Sequence, residues 1–140
     1  MVTSKQLLEL LESKEQLKQQ LALSLPARPE TWRSILKNHP HLAFTLAQNK
    51  SLPQDLADEL TQHADPKVRL MIAKKGDLSF AGFQQLLDDP EAAVRLTLAK
   101  RQDLEPQFAH QLLTDSDPGV RLAAEIYQTP AFTMATASGW

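Results

Sequence analysis

The feature that most constrains this chain is a self-similarity at a period of 26 residues. Val68-Arg69-Leu70-Met71-Ile72-Ala73 returns as Val94-Arg95-Leu96-Thr97-Leu98-Ala99 and again as Val120-Arg121-Leu122-Ala123-Ala124. One period earlier, Leu42-Ala43-Phe44-Thr45-Leu46-Ala47 is apolar at the same places. Pro40, Pro66 and Pro118, then Ser51, Asp77 and Asp103, then Leu60, Leu86 and Leu112 keep the register. Leu17–Ala22 is a weaker copy, 25 residues before the first good unit. Repetition at this length marks a stacked architecture, in which a unit too small to bury its own apolar face is completed by its neighbours.

Each unit reads as two short helices. The first opens on Asp65-Pro66 or Asp117-Pro118, a capping acid before a proline at the first helical position. It closes near Lys74-Lys75 or Lys100-Arg101, cations at the negative end of the helix dipole. The second begins near Pro53, Ser79 or Glu105-Pro106 and places Leu56/Leu60, Phe83/Leu86/Leu87 and Phe108/Leu112 on one stripe. Ser51, Asp77 and Asp103 suit the intervening turn, where their side chains can bond the backbone just downstream. Upstream, Thr3 and Gln6 have capping-box spacing at the head of a Leu-rich helix, and Ser13 and Gln16 repeat that spacing at a helix break. Another helix runs from Glu30 to Lys37, entered through Pro29.

These signals predict an all-α right-handed solenoid of about four helix pairs behind an N-terminal capping helix, the handedness resting on the resemblance described below. Residues 1–38 are expected to form a helical cap and degenerate repeat, 39–128 the repeat block, and 129–140 a C-terminal tail or partial cap.

Composition narrows the chemistry. With 42% apolar and 23% charged residues the chain has the make-up of a folded globular protein. It has no cysteine, so thiol catalysis, disulfides and Cys-ligated metal are ruled out. No apolar leader or membrane-length run is present, which makes a cytoplasmic protein the default expectation. The net charge of −2 hides an asymmetry: residues 1–38 carry six Lys/Arg against four Asp/Glu, leaving the remainder at −4. That balance disfavours a broad phosphate-binding surface.

The motif Asp-Pro-x-Val-Arg-x-x-x-Ala, seen as Asp65-Pro66-Lys67-Val68-Arg69 and Asp117-Pro118-Gly119-Val120-Arg121, resembles the leucine-rich repeat variant group and, more loosely, HEAT-like repeats. The middle copy departs from it as Glu91-Ala92-Ala93-Val94-Arg95. The resemblance covers about residues 39–128. It implies a curved right-handed stack, with one helix of each pair partly 3₁₀, and little about function. The Cys-ligated iron–sulfur segment of some variant-group relatives has no counterpart here. Some HEAT-like proteins act on DNA bases, but they are longer and their catalytic residues find no match.

Three side-chain series invite a functional reading. Arg69, Arg95 and Arg121 could clamp phosphates or carboxylates, yet each follows an acid by four residues (Asp65, Glu91, Asp117), the favourable order for an intrahelical ion pair. They read as structural repeat pairs. Lys50, Lys74, Lys75, Lys100 and Arg101 fall at successive helix ends and are the best polar binding candidates, although dipole complementation also accounts for them. Phe44, Leu70, Leu96 and Leu122, two residues past the repeat Val, read first as core, the alternative being an open concave face that could hold a partner helix. Asp88-Asp89 reads as a solvated helix end, and His39, His41, His63 and His110 lack metal-ligand spacing. No catalytic residue, metal site or cofactor is expected.

The leading expectation is therefore a non-enzymatic protein–protein interaction scaffold with another protein as partner. A nucleic-acid binder using the basic edge is the alternative. A homo-oligomer through a repeat end is a further possibility, and no membrane association is expected.

Overall fold

The computed structural model describes residues 1–128. The C-terminal tail or cap expected at 129–140 lies outside them. Among the described residues the chain is all-helical, with no strand. The helices are α1 (Ser4–Leu11), α2 (Gln16–Ala22), α3 (Pro29–Asn38), α4 (Ala43–Ala47), α5 (Gln54–Leu60), α6 (Pro66–Lys75), α7 (Phe80–Leu87), α8 (Ala92–Ala99), α9 (Pro106–Leu112) and α10 (Pro118–Gln128). A 3₁₀ turn, Pro40–Leu42, leads into α4. The chain divides into two compact units, Met1–Gly82 and the part from Phe83 onward.

In the first unit, Thr3 and Gln6 form the capping box: Gln6 N–H donates to Thr3 Oγ1 at 3.1 Å and Thr3 N–H to Gln6 Oε1 at 3.0 Å. The break after α1 is where it was expected, but Ser13 and Gln16 form no second box. Ser13 Oγ instead accepts from Glu15 N–H, and Gln19 donates to the Ser13 carbonyl at 2.7 Å. α1 lies against α2 and α3. Trp32 on α3 is fully buried, and its indole N–H is satisfied by the Ala27 carbonyl at 3.1 Å, as a buried indole requires. Asn49 is buried and its amide spans the Ala22 and Leu25 carbonyls at 2.7 and 3.1 Å, tying the end of α4 to the end of α2. On the outside, Arg33 bridges Glu59 and Asp55 on α5. Those acids raise its pKa, Glu59 foremost.

The entry to α7 is held by a carboxylate. Asp58 on α5 accepts from Ser79 N–H at 3.1 Å and from Ser79 Oγ at 2.5 Å, and Ser79 Oγ accepts from Gly82 N–H at 3.3 Å. A Cβ on Gly82 would collide with the Asp58 carboxylate and crowd Leu78. Gly82→Ala improves intrinsic helix propensity by about 1 kcal/mol. It is nevertheless expected to destabilise by about 1–3 kcal/mol, because the overpacked carboxylate must shift off Ser79. A melting temperature at or above wild type would overturn that packing.

In the second unit α8 rests on α9 and α10. Its interior holds Val94, Leu98, Ala99, Leu112, Val120 and Ala124, while Phe83 and Phe108 stack at 5.5 Å with planes 27° apart. Gln128 closes the far end by donating to the Ala99 and Arg101 carbonyls at 2.7 and 2.5 Å. The Ala99 carbonyl ends α8, where helical carbonyls have no intrahelical donor.

Candidate functional site

The arginines come first. Each donates Nη1 to the carbonyl six residues before it: Arg69 to His63 at 2.8 Å, Arg95 to Asp89 at 2.6 Å and Arg121 to Asp115 at 2.6 Å. Helical side chains lean toward the N-terminus, and a long one reaches past the acid at i−4 to the loop carbonyl beyond. The expected pairing with Glu91 is replaced for Arg95 by one with Asp115, through Nε at 2.8 Å and Nη2 at 3.2 Å, both side chains being close to buried. Asp115 raises the pKa of Arg95 against the opposing effect of burial. Asp65 and Asp117 serve as helix caps, accepting from Lys67 N–H at 2.9 Å and from Gly119 N–H at 2.8 Å. Glu91 stands exposed at the head of α8. Asp89, expected to be solvated, is only 4% exposed and accepts from Glu91 N–H at 2.9 Å. The arginines are loop ties.

Of the basic series, Lys50, Lys74, Lys75 and Lys100 are exposed. Arg101 differs. Its guanidinium lies 4.9 Å from the centre of the Phe83 ring and chelates Asp103 through Nε and Nη2, each at 2.8 Å. Asp103 is held below the usual carboxylate range, first by that hydrogen bond, with burial opposing. The turn acids thus bond side chains, Asp77 accepting from Gln54 and Asp103 from Arg101. Cation–π stacking and a bidentate partner make Arg101 part of the framework.

The apolar series is where structure and expectation part most. None of Phe44, Leu70, Leu96 and Leu122 belongs to the core. Phe44 is 39% and Leu122 56% exposed, and Leu70 and Leu96 are half-buried. The reason is angular. At about 100° per residue, a side chain two positions past the fully buried Val68, Val94 or Val120 points roughly 200° away from it. It therefore points out of the packed side.

Within the first unit this outward side has a definite make-up. On α6 the stripe is Lys67, Leu70, Met71 and Lys74, at i, i+3, i+4 and i+7, with both lysines exposed. On α4 and its 3₁₀ entry the equivalent stripe is His41, Phe44, Thr45 and Gln48. The two helices are in contact. Beside Thr45 and Gln48 opens a cavity of about 280 Å³, whose remaining lining is Leu11, Gln19, Ala22 and Leu23. α2, α4 and α6 contain no Asp or Glu, whereas α5 contains Asp55, Asp58 and Glu59 and no cation. In the second unit the corresponding exposed residues on α10 are Leu122 and Ile126, with Leu96 half-buried on α8.

Among the described residues no group of His, Asp and Glu side chains is arranged to hold a metal ion. No helix there is long and apolar enough to cross a membrane. Compared with models of protein families, with curated proteins and with solved structures, the chain matches none.

Proposed function

We propose that the chain is a right-handed solenoid of 26-residue helix pairs, of the leucine-rich repeat variant or HEAT-like kind, and a non-enzymatic scaffold that binds another protein. Helices α5, α7 and α9 begin at Gln54, Phe80 and Pro106, one period apart, which supports the repeat. The observation that carries the binding reading is the outward apolar row. Phe44, Leu70 and Met71 are left partly in water on the same side of two touching helices, a setting in which an apolar row serves contact more readily than folding.

The experiment compares proteins captured by the tagged full chain with those captured by a Leu70→Ser/Met71→Ser variant. Wild type is expected to retain a defined protein that the variant loses, with both melting within a few degrees of each other. Identical capture by the two, or retention of nucleic acid in low salt in place of protein, would overturn the proposal.

A further inference from the structure

The charge on the outward side of the first unit narrows the partner's chemistry. Lys67 and Lys74 bracket Leu70 and Met71 on α6, and α2, α4 and α6 offer no carboxylate to neutralise them. The nearest acids in the chain are engaged elsewhere: Asp65 caps α6 through Lys67 N–H, and Asp77 accepts from Gln54. Of the unit's other acids, Asp55 and Glu59 of α5 are bound to Arg33, and Glu15, at the head of α2, pairs with Lys18 at 3.6 Å. The outward side of α4 and α6 thus carries the exposed Lys67 and Lys74 and no carboxylate from either helix.

We infer that this side, formed by α2, α4 and α6, docks an acidic amphipathic helix of a partner protein, an inference that rests on the scaffold reading above. The fit is threefold. Apolar residues at i, i+3, i+4 and i+7 of the incoming helix cover Phe44, Leu70 and Met71. Acids flanking that stripe meet Lys67 and Lys74, which fixes orientation and speeds encounter more than it deepens affinity. The cavity beside Thr45 and Gln48, with Leu11, Ala22 and Leu23 in its wall and Gln19 and Gln48 at hand, takes one protruding apolar side chain. A basic helix of the same apolar pattern would bring cations against Lys67 and Lys74 with no acid on these helices to offset them.

The test uses the full chain and two labelled synthetic helical peptides of roughly 15 residues. Both carry Leu at i, i+3, i+4 and i+7; one is flanked by Glu and the other by Lys, and binding is followed by fluorescence anisotropy. The Glu-flanked peptide is expected to bind at least about tenfold more tightly. It should weaken by about tenfold in Lys67→Glu/Lys74→Glu and weaken as salt is raised. Both lysines are exposed, so the double variant should melt like wild type. Equal binding of the two peptides, or acidic-peptide binding indifferent to the charge reversals, overturns the inference. So does binding of neither peptide. That last outcome leaves the scaffold proposal to the capture experiment, whose readout does not depend on the partner's charge.

Discussion

Val94→Asp is expected to unfold the second unit, seen as loss of its helical signal and a collapsed or absent melting transition. Val94 is fully buried in α8 beside Leu98 and Ala99, with α9 and α10 packed against that helix. Removing the isopropyl group forfeits about 1.5–3 kcal/mol of burial. The carboxylate put in its place has no partner among the apolar side chains that line the site and must be desolvated or protonated, a penalty of several kcal/mol more. Together these approach the whole stability of a small folded unit. Lys100→Glu is the matched control. Lys100 is exposed at the C-cap of α8, so reversing its charge costs about 0.3–1 kcal/mol through the helix dipole. The two variants should therefore differ by tens of degrees in circular dichroism melts. Val94→Asp melting like wild type would mean that the buried side of α8 has been misassigned.

The existence and ends of the helices were legible because their signals are local. Proline at the first turn, a capping Asp or Thr and a lysine at the last turn act over four residues, so α6 and α10 begin where Asp65-Pro66 and Asp117-Pro118 place them. The stripe of α5 and α9 was legible for the same reason. Phe44, Leu70 and Leu122 were misread because α4, α6 and α10 carry apolar residues on opposite sides. Periodicity reports that both sides are apolar without saying which one a neighbour covers. Only the packing of α4 on α6 and of α8 on α10 decides it, and that packing leaves the position after Val-Arg facing outward.

The candidate site was legible in part. Lys74 and Lys75 stand at the end of α6, exposed as expected, but Arg101 left the series because Phe83 and Asp103 claim it. Lys67 was not singled out, since its meaning depends on the absence of acids from α2 and α4, which only adjacency reveals. Asn49 was missed for a similar reason: its partners, the Ala22 and Leu25 carbonyls, lie more than 20 residues away in sequence. No local pattern encodes such a bond. A buried amide just past a helix end, echoed by the half-buried Gln128 that ends α10, is the signal that could have found it.

Asp115→Ala should cost about 3 kcal/mol, and Glu91→Ala less than about 0.5 kcal/mol, although spacing alone assigns Arg95 to Glu91. Glu91 is exposed and its side chain caps nothing, so its removal deletes only a weak surface charge effect. Asp115 takes two hydrogen bonds from Arg95 and a third from Asp117 N–H at 2.9 Å, with 8% of its side chain in contact with water. Truncating it strands a nearly buried guanidinium, and the damage from an orphaned charge exceeds the net worth of the intact pair. It also frees the loop that enters α10, whose carbonyl at Asp115 holds Arg121. Asp115→Asn separates the two contributions. It keeps an acceptor for Asp117 N–H and one bond to Arg95 but removes the charge, so its loss should fall between those of the other two variants. Denaturant titration of the three proteins reads the order directly. If Glu91→Ala proved as damaging as Asp115→Ala, the intrahelical pair would be the real device and the loop tie incidental. The order expected here instead makes Arg95 a fastener between α8 and the loop that enters α10.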